Sequence, residues 1–215
     1  MSRAFNCDLC VQHDIIKIIQ LLNIECAVET GTYKAETTLF FADMLKLVKT
    51  IEITEDHQNM YKMINEFKKN IIFYRGDSGK ILENIISDLP NDNPILFYLD
   101  AHWNNYWPLL DEIKIIGKHF KNNAVIVIDD FKVPNKSLGF DKYEDICNDL
   151  NYVQESLKEC GDLFIFFNDH TKVVDHFNSN RGTAGKLYAI PKKYTSLVMP
   201  FINEDNGYFY STTQL

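Results

Sequence analysis

The chain has 215 residues, 46% of them hydrophobic, with a formal net charge of −8 and an isoelectric point near 5.2. That length and apolar fraction suffice for one substantial core, read as a single domain over 1–215, with a helical lead-in to about residue 24 and a tail from about residue 191. The acidic balance argues against a nucleic-acid backbone or an anionic membrane as partner. No apolar run approaches the ~20 residues of a membrane span and the N-terminus lacks a leader pattern, so a cytoplasmic protein is expected.

Ile15, Ile16, Ile18, Ile19, Leu21 and Leu22 form a helical stripe that leads into a first strand at Cys26–Glu29. Thr30-Gly31-Thr32 then turns into a helix carrying Leu39, Phe40 and Ala42. A second strand is expected over Leu47–Ile53. Thr54 offers the cap for a helix from Glu55 to Lys69 that buries Met60, Met63, Ile64 and Phe67. A third strand, Ile71–Tyr74, gives way at Gly76-Asp77-Ser78-Gly79 to a helix through Leu82 and Ile86. The fourth strand, Ile95–Leu99, is a continuous apolar run of the kind found in parallel strands buried on both faces. After a helix from about Pro108 to Phe120 comes a fifth strand, Ala124–Ile128. Strand and helix thus alternate, which predicts an α/β fold with a doubly wound, mostly parallel sheet.

The alternation then loosens. Tyr143–Glu159 reads as a helix, and Leu163–Phe167 and Leu187–Ile190 as a sixth strand and an antiparallel seventh. The five cysteines are an odd, scattered set, which suggests no disulfide framework. Cys7 and Cys10 have zinc-ligand spacing, but no second pair completes a site.

The most informative pattern is acidic. Each of the first five strands runs out toward a carboxylate: Glu29, Glu52, Asp77, Asp100 and the pair Asp129-Asp130. Carboxylates at the rim of a core are costly unless they meet a partner. In open α/β sheets ligands bind beyond the carboxyl ends of the strands. The first turn, Glu29 to Thr37, carries Gly31 alone and so lacks the dinucleotide fingerprint G-x-G-x-x-G. An acid there repels pyrophosphate and suits an amine. Glu52 stands where a ribose diol is accepted in this architecture. A ligand with a cationic amino acid end, a ribose and no phosphate fits, and S-adenosylmethionine is such a ligand.

The segments Glu29-Thr-Gly-Thr-Tyr, Thr50-Ile-Glu-Ile-Thr, Gly76-Asp-Ser, Leu99-Asp-Ala-His-Trp and Ile128-Asp-Asp resemble class I S-adenosylmethionine-dependent methyltransferases. Among these they are most similar to small-molecule O-methyltransferases of the catechol and macrolide-sugar type. The resemblance implies a seven-stranded, Rossmann-like sheet with an antiparallel last strand. It implies that Glu29 and Gly31 line the methionine portion of the cofactor, that Glu52 accepts from its ribose hydroxyls, that Asp77 and Ser78 contact adenine, and that Thr32, Tyr33 and Ile53 also bind the cofactor. Asp100 also faces the cofactor and, with Asp129 and Asp130, matches the positions that bind a divalent metal, usually Mg²⁺. Three converging carboxylates repel without a cation, and hard Mg²⁺ prefers oxygen ligands.

Two departures from the family pattern stand out. Ala35 replaces a common glycine, and Asp100-Ala101-His102-Trp103-Asn104 lacks the lysine that follows Asp-His-Trp in catechol-type enzymes. His102 takes the place of the base, with Asp100 beside it and Lys132 as the weaker candidate. The expectation is methyl transfer to the hydroxyl of a small molecule, a sugar or another polar metabolite, with a homo-oligomer allowed and no nucleic-acid or membrane partner. Rival readings are an NAD-dependent oxidoreductase or epimerase, and a non-catalytic nucleoside-binding module.

Overall fold

The computed structural model describes residues 3–102, 106–168, 184–203 and the backbone of 208–210. The helices are α1 (Leu9–Leu22), α2 (Glu36–Ala42), α3 (Gln58–Phe67), α4 (Ser78–Ile86), α5 (Leu109–Phe120), α6 (Leu150–Glu159) and α7 (Thr195–Asn203). The strands are β1 (Cys26–Thr30), β2 (Leu47–Glu52), β3 (Ile71–Arg75), β4 (Ile95–Leu99), β5 (Ala124–Ile128), the short pair β6 (Lys142–Tyr143) and β7 (Ile146–Cys147), then β8 (Leu163–Asn168), β9 (Leu187–Pro191) and β10 (Tyr208–Tyr210). One large sheet runs in the order β10-β8-β9-β5-β4-β1-β2-β3. β1 to β5 are mutually parallel, and β9 lies antiparallel between β5 and β8. These are the seven strands expected; β10 adds an antiparallel edge beside β8.

The period of two along each strand divides the core. Val28, Phe97, Ile126 and Ile128 face the side covered by α4, α5 and α6. Ala27, Leu96, Tyr98, Val125 and Val127 face the side where Ile15 and Ile18 of α1, Phe41 of α2 and Val198 of α7 pack. Every residue of β4 and β5 is buried, as their unbroken apolar composition requires.

Two expectations are corrected, and a third element is sharpened. Helix α3 starts at Gln58 without a side-chain cap, and Met63 and Phe67 are 63% and 81% exposed. Tyr61 is the buried residue of that helix, stacked on Phe73 at 4.6 Å. The cause is position: α3 lies over the edge strand β3, so half of an apolar stripe overhangs the sheet. The helix expected from Tyr143 begins only at Leu150, where Asp149 accepts the Tyr152 N–H, and the β6–β7 hairpin precedes it. Helix α1 begins earlier than its apolar stripe, at Leu9, because the Asp8 carboxylate accepts the N–H groups of Cys10 and Val11.

Candidate active site

All five acidic strand ends lie along the carboxyl edge of the parallel strands, as the β-α alternation requires. A cavity of about 390 Å³ opens there. Gly31, Tyr33, Glu52, Ile53, Asp77, Ser78, Asp100, His102 and Asp130 all line it. Glu29, Thr32 and Asp129 do not; they line a smaller adjoining cavity of about 70 Å³, which shares Gly31, Tyr33 and Asp100 with the first.

The turn after β1 is held by the Gly31 and Thr32 N–H groups, both donating to the Ile51 carbonyl at 2.9 and 3.2 Å. Gly31 has φ +88°, and a Cβ there would come within 2.5 Å of the Asp100 carbonyl oxygen. Only glycine lets the β1 and β4 loops approach so closely. Glu29 pairs in register with Thr50 on β2, and its Oε2 accepts the hydroxyls of Thr50 (2.7 Å) and Thr38 (2.5 Å). Because Thr50 donates to Glu29, the 2.6 Å contact between Thr32 and Thr50 is donated by Thr32. Burial pushes the Glu29 carboxyl up to about 7, against the two hydroxyl donors that pull it down.

Glu52 ends β2 with both oxygens engaged. Oε2 accepts the Tyr33 N–H at 2.8 Å and Oε1 accepts the Thr54 N–H at 2.9 Å, while Tyr61 donates its hydroxyl to the Tyr33 carbonyl. The carboxylate is thereby fixed at the cavity wall with lone pairs to spare. Asp77 caps α4 by accepting the Gly79 N–H at 3.1 Å, and also holds Lys80 (2.8 Å) and the Tyr106 hydroxyl (3.2 Å).

Around β4 and β5 the carboxylates crowd. Ligand atoms of Asp100, His102 and Asp130 lie within 4.8 Å of one another. Burial and the neighbouring Asp129 and Asp130 charges hold the Asp100 carboxyl well above the usual carboxylate range, and burial and Asp129 raise Asp130 likewise. His102 is flanked on both nitrogens, with the Tyr143 hydroxyl at Nδ1 and Asp141 Oδ2 at 3.5 Å from Nε2.

Asp129 points elsewhere. Its carboxylate ion-pairs with Lys186, accepts the Tyr98 hydroxyl and accepts the Asp130 N–H at 2.6 Å. Lys186 is 2% exposed; burial pulls its ammonium down, yet Asp129, Asp130 and Asp100 outweigh that and raise it. It is placed by Gly185, whose Cβ position lies 2.0 Å from the Phe131 carbonyl, and by its own N–H donating to Asn168 at 2.6 Å. Lys132 lies over the Phe140 ring at 5.4 Å. Trp103 and Asn104 lie outside the described residues.

The sequence reading missed Lys186, Asp141 and Tyr143. The only local signal for Lys186 is a lysine abutting a buried strand. Its partner becomes visible once antiparallel β9 is known to begin where β5 ends, with Leu187 opposite Ile128.

This sheet order and this placement of the cavity define the class I S-adenosylmethionine-dependent methyltransferase fold. No family model matches the chain, and no curated protein does. Among solved structures, S-adenosylmethionine-bound CalS10, an aminopentose methyltransferase from Micromonospora echinaspora involved in calicheamicin biosynthesis, is similar with a TM-score of 0.57 and 9% identity, over 85% of this chain and 90% of that one. A Staphylococcus aureus protein classed with the caffeoyl-CoA O-methyltransferases gives 0.52 and 14%, over 84% and 83%. Precorrin 8W decarboxylase from Methanobacterium thermoautotrophicum gives 0.51 and 16%, over 84% and 88%. Neighbours with such different names share an architecture, and the reaction must be argued from the site. No helix among the described residues is long and apolar enough to cross a membrane.

Proposed function

We propose that this protein is an S-adenosylmethionine-dependent O-methyltransferase acting on a hydroxyl of a small polar acceptor, with a sugar as the favoured class. The observation that carries the reading is one continuous cavity, walled at one end by Glu52, Asp77 and Ser78 and at the other by Asp100, His102 and Asp130. Its volume is in the range of small-molecule sites. The donor set suits the cofactor: a fixed carboxylate for a ribose diol, a capping aspartate for an amine edge, and no lysine-bearing phosphate cradle.

When bound, S-adenosylmethionine supplies a methyl group on a sulfonium. The chain's own residues then have separable tasks. Gly31 and Tyr33 set the turn against which the donor rests, with Thr32 and Glu29 behind it, and Glu52, Ile53, Asp77 and Ser78 fix the nucleoside. His102 would take the proton of the acceptor hydroxyl, and Asp141, 3.5 Å from its Nε2, would stabilise the imidazolium that results. Tyr106, which lines the cavity, would offer an aromatic wall to a sugar face. Asp100 and Asp130 would hold a divalent cation such as Mg²⁺ and lend it to the same oxygen, which leaves the His102 imidazole for the proton; Asp129 would support them from its pair with Lys186. CalS10, a methyltransferase of an amino sugar, supports the acceptor class by analogy.

The test is calorimetric titration of the protein with S-adenosylhomocysteine, with and without Mg²⁺. Micromolar binding, followed by methyl transfer to a hydroxylated sugar, is the expected result. No heat of binding under either condition would sink the reading.

A further inference from the structure

The segment before α1 has an unusual backbone. Phe5, Asn6 and Cys7 carry φ values of 53°, 57° and 67°, three successive left-handed residues without a glycine. Each costs about 1–2 kcal/mol for an ordinary L-residue, and asparagine less than most. Such strain persists only where the surroundings enforce it. Here they do, on both sides. Phe5 is buried, edge-on to Phe40 at 5.1 Å and Tyr98 at 5.2 Å, and its N–H donates to Thr37. The Ala4 carbonyl accepts from Gln12, and Asp8 caps α1. Between these anchors Asn6 is exposed and lines both the large cavity and the small one.

The small cavity has the chemistry of an amino acid. Glu29 and Asp100 offer carboxyl oxygens to an ammonium group, and Arg3, paired with Glu36 at 3.7 Å, and Lys34 bring basic side chains for a carboxylate. Asn6 stands where this cavity joins the nucleoside cavity, with two N–H donors and no charge of its own.

We propose that Asn6 is a donor-recognition residue, whose carboxamide donates to the α-carboxylate at the methionine end of S-adenosylmethionine. The strained strap is what delivers it. This rests on the reading of the large cavity as a nucleoside site, and the experiment separates the two. S-adenosylhomocysteine and 5′-methylthioadenosine, which lacks the amino acid end, are titrated calorimetrically into wild type, Asn6→Gly and Asn6→Asp.

Asn6→Gly should weaken S-adenosylhomocysteine roughly tenfold, the loss of one hydrogen bond to a charged group. It should leave methylthioadenosine within about twofold and should not lower Tm, since glycine accepts the left-handed backbone. Asn6→Asp should weaken S-adenosylhomocysteine further by charge repulsion and again spare methylthioadenosine. Equal weakening of both ligands, or of neither, overturns the assignment while leaving the nucleoside site intact. Failure of the wild type to bind either ligand overturns the cavity reading and this inference with it.

Discussion

The two halves of the site solve the problem of rim carboxylates in opposite ways. Beside β2 and β3, Glu52 and Asp77 are met by backbone N–H groups, Thr54 and Tyr33 for one and Gly79 for the other. Beside β4 and β5, Asp100 and Asp130 crowd together with Asp129 close behind, and one buried ammonium, Lys186, is set against Asp129. The first arrangement is at rest: its charges are compensated by local dipoles and, at Asp77, by Lys80, and on the proposed function it receives a neutral diol or amine. The second is under tension, with the Asp100 and Asp130 carboxyls pushed toward neutrality. On the proposed function, that is the half where a proton or a cation has to be handled. On that reading, binding and chemistry are thus divided along one sheet edge.

Mutations on either side should separate these tasks. His102→Ala should lower turnover by about 10²–10⁴, the usual worth of a general base, while S-adenosylhomocysteine affinity stays within about threefold. Comparable loss of affinity would erase the division. Lys186→Met strands the buried Asp129 carboxylate and should cost about 3–5 kcal/mol in urea unfolding. Adding Asp129→Leu should recover most of it; if the double variant is no better than the single, the ion pair is not the cause.

On the binding side, Glu52→Ala should weaken S-adenosylhomocysteine by roughly ten- to a hundredfold by calorimetry and leave turnover at saturating donor nearly unchanged.

Glu112 tests the tension from beneath. This residue of α5 is 0% exposed, and burial pushes its carboxyl up to about 7 against the Ser78 and Thr30 hydroxyls that pull it down. A folded value above the unfolded one means that the folded state binds more protons between about pH 4.5 and 7. Stability is then lost as pH rises through that window. Glu112→Gln should therefore equal wild type near pH 4 and exceed it at pH 8 by on the order of 1–3 kcal/mol. A constant difference across pH would refute this. The smallest effect is expected at Met63, where replacement by lysine should change stability by less than about 0.5 kcal/mol, because the side chain overhangs the sheet edge.

Much of this was written locally in the chain. Strands β4 and β5 announce themselves because both faces are buried, leaving no polar alternation to confuse with a helix. Gly31, Glu52, Asp77, Asp100, His102 and Asp130 were legible as strand-end residues, and the structure brings them to one cavity. What was hidden depends on distant partners. The exposure of Met63 and Phe67 follows from β3 being an edge, which no window of sequence reveals. Lys186 acquires meaning from antiparallel pairing with a strand much earlier in the chain. Asn6, between Phe5 and Cys7, carries no periodic signal at all; its place is set by the aromatic cluster that grips its neighbour.

The position of β9 carries a consequence for how the molecule is made. In the finished sheet β5 is interior, covered by β4 on one side and β9 on the other. During synthesis Leu187 follows Ile128 by about 60 residues, roughly 3–12 s at 5–20 residues per second. For that interval a fully apolar strand emerges from the ribosome with one flank of unpaired N–H and C=O groups, and Asp129 emerges without its lysine. A nascent chain stalled in this window should be the species that chaperones hold, and the one most prone to aggregate.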